Sequence, residues 1–176
     1  MTTERFGLIK FGGKDQTVIG DEIKVGQKAP DFIIQKTDWS ISKGLKETRQ
    51  KVRIIASIPS LDTPVCDRET HRFNSEAAQL SKDIAILVIS MDLPVAQKRW
   101  CGAAGVDQVL TFSDVTRADF GKKYATLMKE ARILRRAVFV VDKNGVVTYS
   151  AYMVANGDEP NYEAVLSAAK MALAKQ

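Results

Sequence analysis

The residues best equipped for chemistry lie in the run Pro59-Ser60-Leu61-Asp62-Thr63-Pro64-Val65-Cys66, between a stretch that reads as a buried strand and one that reads as a helix. Thr63 fits the helix N-cap and Pro64 the first helical position, where a missing N–H costs nothing. Cys66 then falls at the third helical position. Unpaired backbone N–H groups and the positive end of the helix dipole there favour a thiolate over a thiol. The thiolate is the reactive form, and the run by itself leaves its substrate open.

At about 100° per residue, Cys66, Phe73, Ala77 and Leu80 lie within about 40° of one core-facing stripe, which puts the sulfur on a pocket floor. Burial and the carboxylates of Asp67 and Glu69 oppose the charge, so a reactive thiolate needs cations and donors aimed at it. Thr63 is one candidate donor. Arg136, opening an apolar strand where an arginine is otherwise awkward to place, is the candidate cation. His71 is the single histidine, but at five residues past Cys66 it lies about 140° round the helix and points away. One histidine and two cysteines also make a zinc or iron site an unlikely expectation.

The second cysteine, Cys101, is too far along the chain to form a Cys-x-x-Cys pair, and the position three after Cys66 is Glu69. That spacing argues against a thiol-disulfide oxidoreductase; a non-catalytic binding module with inert cysteines is the other alternative. In 176 residues a single core can form without disulfide staples, so one domain spanning 1–176 is expected. The formal charge is +5, with 26 Lys plus Arg spread among 21 Asp plus Glu, which gives little support to a nucleic-acid or anionic-membrane partner. Met1 to Phe11 carries no long apolar stretch, so no signal peptide or membrane span is expected, and the chain is assigned to a reducing cytoplasm.

The elements that must position these residues follow from periodicity. Phe6–Phe11 and Gln16–Ile19 flank Gly12-Gly13-Lys14-Asp15, an N-terminal hairpin within 1–21. Asp31–Gln35 reads as a strand, Val52–Ile58 and Ile84–Ser90 as buried strands around a helix over Pro64–Leu80, a parallel βαβ unit. A helix follows Pro94 and another covers Arg117–Met128. Ala137–Val141 and Val146–Tyr149 flank an Asn-Gly turn, and Tyr162, Val165, Leu166, Ala169 and Leu173 mark a closing amphipathic helix. This order predicts an α/β, thioredoxin-like fold: a central mixed sheet flanked by helices, with the added N-terminal β-hairpin.

Pro59-x-x-x-Thr63-x-x-Cys66 resembles the peroxiredoxin active-site motif. The longer run through Cys66, with Phe73-Asn74, resembles the thiol peroxidase subfamily of atypical two-cysteine peroxiredoxins. Ser90-Met91-Asp92-Leu93-Pro94-Val95-Ala96-Gln97-Lys98-Arg99-Trp100-Cys101-Gly102 resembles its resolving-cysteine segment, and Arg136–Asp142 its arginine strand. Val95 and Trp100 stand where phenylalanines are common, and the turn Asp67–His71 is more charged than usual. The resemblance implies a peroxidase acting on hydrogen peroxide and organic hydroperoxides. Cys66 would be the peroxidatic residue, Cys101 the resolving one, Thr63 and Arg136 stabilisers of the thiolate and the leaving oxygen, and Pro59 part of the substrate pocket. It further implies a Cys66–Cys101 disulfide reduced by thioredoxin, a homodimer, and no metal, haem or flavin. Gly102 and Gly105 are expected to ease local unwinding around Cys101, or to serve as an ordinary helix C-cap.

Overall fold

The structure, a computed structural model, describes residues 2–175. Two strands, β1 (Glu4–Phe11) and β2 (Lys14–Ile19), form the expected antiparallel hairpin, with Gly12 and Gly13 both at positive φ in its turn. Next come β3 (Ile33–Gln35), β4 (Ile41–Lys43) and a 3₁₀ turn at Lys46–Thr48. The βαβ unit is β5 (Val52–Ser57), α1 (Pro64–Ala77) and β6 (Ile84–Ser90). It is followed by α2 (Pro94–Ala104), β7 (Leu110–Ser113), α3 (Asp119–Lys123), β8 (Leu127–Met128) and β9 (Ile133–Leu134). A second hairpin, β10 (Ala137–Val141) and β11 (Val147–Tyr152), and the helix α4 (Tyr162–Ala174) complete the chain.

The main sheet has the order β11-β10-β5-β6-β7-β3-β4, with β5, β6 and β7 parallel and β10 antiparallel to β5. Its central strands are apolar throughout because both faces are covered. Side chains alternate between two cores: Ile54, Ala56, Ile86, Val88, Val138 and Val140 meet Phe73 of α1 and Val165 and Ala169 of α4. Ile55, Leu87, Ile89, Phe139 and Val141 meet Phe32, Phe120 and Tyr124 on the opposite face. That period of two, in strands that look uniformly hydrophobic, is what fixes which residues reach the helices.

One expected element is wrong. In place of a helix over Arg117–Met128 there is only the short α3, then a strand. Ala118 and Ala125 both take left-handed backbone (φ 49° and 51°), which breaks a helix on either side. The buried Asp114 carboxylate instead accepts from the N–H groups of Phe120 and Gly121, at 3.1 and 2.8 Å. Met128 then pairs with Val18, so the N-terminal hairpin joins a second sheet, β1-β2-β8-β9. The long helix is lost to this pairing, which local propensity cannot register.

Candidate active site

The site lies where β5 and β6 end side by side, outside the carboxyl ends of two parallel strands, the usual place for a crevice in such sheets. The loop after β5 carries the buried Pro59 and leads into α1. Thr63 has the extended backbone of an N-cap (φ −108°, ψ 144°), and Pro64 opens the helix as expected. The Thr63 hydroxyl, however, donates to the Ser60 carbonyl at 3.0 Å, and it neither caps a helix N–H nor bonds to Cys66. Cys66 and Phe73 are fully buried on the core-facing stripe.

Arg136 lies just before β10, and its guanidinium reaches across to α1. Nη2 is 3.1 Å from Cys66 Sγ, and Nη1 forms a close ion pair with Glu69. Nε and Nη2 also donate to the Asn156 carbonyl, at 3.2 and 3.0 Å. Glu69 is therefore more than a repulsive neighbour of the sulfur: one turn along α1, it is the carboxylate that holds the arginine. Burial lifts the Glu69 carboxyl from an ordinary 4.5 to about 7, against the downward pull of Arg136. Burial also works against the Arg136 charge, but Glu69 and Cys66 outweigh it and its pKa is raised. The proton exchanged near neutral pH is thus the carboxyl's.

Both cysteines are free thiols. Cys101, half-buried on α2, has its Sγ 3.6 Å from Thr111 Oγ1 on β7, and burial pushes its pKa up. It opens onto a groove of about 280 Å³ between Lys36, Lys98 and Phe112. The other face of α2, with Ala96, Arg99, Trp100 and Ala103, borders a cleft of about 420 Å³ against Ser60, Leu61 and Asp62. On the helical wheel Cys101 lies about 150° from the centre of that face. Gly105 is a left-handed C-cap (φ 65°), and the Val106 N–H bonds to the Cys101 carbonyl at 3.1 Å, while Gly102 lies inside the helix. His71 points away from Cys66, its ring 5.6 Å from that of Trp100.

A redoxin family model matches residues 24–166. The chain belongs to the redoxin family. A thiol peroxidase from Oceanobacillus iheyensis is 50% identical over 159 residues, covering 90% of this chain and 96% of the relative. One from Bacillus subtilis is 48% identical over 162 residues, covering 92% and 96%. Among solved structures, a peroxiredoxin-like protein from Aquifex aeolicus superimposes with a TM-score of 0.85 at 35% identity, covering 97% of this chain and 98% of that one. These relatives make this redoxin a peroxiredoxin-type thiol peroxidase with a thioredoxin-like fold.

Of the site residues expected from sequence, the redoxin fold brings Cys66, Arg136 and the Thr63 loop together and leaves Cys101 facing elsewhere. Glu69, the Asn156 carbonyl and Asp92 were not foreseen in their places. Glu69 had a readable signal, a charged residue on the turn after Cys66 close to the buried stripe. Asn156 had none, because its contribution is a backbone carbonyl from a distant loop. No described helix is long and apolar enough to cross a membrane.

Proposed function

We propose that Cys66 is the peroxidatic residue of this thiol-dependent peroxidase and Cys101 its resolving partner. The observation that carries the reading is the 3.1 Å contact from Arg136 Nη2 to Cys66 Sγ in a fully buried setting. A guanidinium there stabilises a thiolate and, as attack proceeds, charge on the departing oxygen. The thiolate attacks one oxygen of a hydroperoxide, the O–O bond breaks, and the leaving oxygen takes a proton as water or alcohol, giving Cys66 sulfenic acid. Cys101 then attacks that sulfur. The S–O bond breaks, water leaves with the Cys101 proton, and an intramolecular disulfide remains.

Reduction by thioredoxin returns both thiols and completes the cycle. Thr63 acts in this scheme by bracing the loop through Ser60, and the buried Pro59 shapes the pocket beside it. A single domain and a cytoplasmic setting fit the scheme. So does a homodimer, for which Leu93 and Val95, about half exposed beside the active-site loop, are the apolar residues at hand.

The test is stoichiometric. Reduced protein is mixed with one equivalent of hydroperoxide and its free thiols are counted; loss of both without intermolecular dimer is expected. Cys66→Ser should abolish turnover with thioredoxin, and Cys101→Ser should keep one turnover and accumulate sulfenic acid. Full thioredoxin-dependent activity in Cys66→Ser would sink the assignment.

A further inference from the structure

Asp92, two residues before α2, joins the two loops that carry the cysteines. Its Oδ1 accepts from Ser60 Oγ at 2.7 Å, and its Oδ2 from the Leu61 N–H at 2.8 Å and Ser90 Oγ at 2.7 Å. Its own carbonyl accepts from Ser113 Oγ at 2.6 Å. The Ser90 hydroxyl in turn accepts from Gln97 Nε2 at 3.0 Å, and that amide also donates to the Phe112 carbonyl at 2.9 Å. Ser60 and Leu61 belong to the loop before Cys66, and Gln97 lies one turn before Cys101 on α2. The carboxylate therefore ties the approach to one cysteine to the helix bearing the other, through three hydrogen bonds of the stronger, charge-assisted kind.

We propose that Asp92 is a positioning residue: a latch that holds the Cys66 loop for reaction with peroxide and must release before the disulfide can form. The inference rests on the Cys66–Cys101 pairing proposed above. A disulfide needs Cα atoms within about 7 Å and facing Cβ vectors. Here Cys66 is sealed on its helix stripe beside Arg136, while Cys101 is turned to Thr111 on the side of α2 away from the cleft. Bringing them together moves the start of α1, α2, or both, and either motion pulls on the segments joined at Asp92. The hydrogen bonds that favour the first step thus slow the second, and their strength sets the lifetime of the sulfenic acid. A longer lifetime gives a second peroxide more opportunity to oxidise that sulfur to the sulfinic acid.

The test follows both steps by rapid quench with a sulfenic-acid trap and intact mass, in wild type, Asp92→Asn and Ser60→Ala. Asparagine keeps an acceptor for Ser60 but turns an NH2 toward the Leu61 N–H and the Ser90 hydroxyl. The expected result is disulfide formation about tenfold faster in Asp92→Asn and about threefold faster in Ser60→Ala, the size expected for losing one or two such bonds. In excess hydrogen peroxide the sulfinic fraction should fall by the same factors. Mere destabilisation would slow the first step without moving this partition. A second step that is unchanged or slower in both variants overturns the latch while leaving the cysteine assignment standing. A wild type that forms no Cys66–Cys101 disulfide overturns both.

Discussion

Replacing Glu69 by glutamine tests which effect dominates in the buried Arg136–Glu69 pair. Glu69 is wholly inaccessible, and its carboxyl is raised from 4.5 to about 7 because the loss of hydration outweighs the attraction of Arg136. A carboxyl that binds its proton more tightly when folded makes the folded state lose stability as pH rises from the unfolded value toward the folded one. At about 1.4 kcal/mol per unit, that window amounts to about 3 kcal/mol, already expressed in full by pH 8 and small at pH 5. Glutamine mimics the protonated acid and has no such dependence. Urea unfolding of wild type and Glu69→Gln at pH 5, 6, 7 and 8 isolates the contribution, since other groups cancel in the difference. The variant should be similar to wild type at pH 5 and gain on it by about 2 kcal/mol or more by pH 8. A difference that stays flat, or that turns against the variant as pH rises, would show that the ion pair wins over burial and refute the reasoning.

Three further outcomes follow from the geometry. Arg136→Lys keeps the charge but cannot reach Cys66, Glu69 and Asn156 together; stopped-flow oxidation by peroxide should slow by about 100-fold or more. Gly20→Ala should destabilise the chain by about 2 kcal/mol or more in thermal unfolding, because φ is +96° and a Cβ would lie 2.0 Å from the Lys122 carbonyl oxygen. Peptide hydrogen exchange across Arg99–Gly105 should be faster in the disulfide form than in the reduced form; equal protection would count against unwinding of the end of α2.

Much of this site was legible because its first half is local. A cap, a proline and a cysteine within four residues report a helix start, and a stripe of apolar residues reports which side of it is buried. The partner of that cysteine was legible only as an oddity, an arginine at the edge of an apolar strand. Glu69 was misjudged for the same reason: from sequence it is a carboxylate near a thiolate, and only the approach of β10 makes it the arginine's counterion. The lost helix near Ala118 and Ala125 is the reverse case. Alanine favours helix, and nothing nearby warns that tertiary pairing with β2 will force both residues into the left-handed region. The strand Leu110–Ser113 is too short and too mixed to register by periodicity at all.

The orientation of Cys101 toward Thr111 bears on how the enzyme parts from its reductant. A bridge to Cys66 cannot be accommodated in the arrangement of the resting chain, so oxidised and reduced forms present different outlines. A reductant shaped to the oxidised outline finds its docking surface dismantled by the very reaction it performs. Release after each cycle is then driven by refolding of α2, and a pool of reduced enzyme does not compete for the reductant.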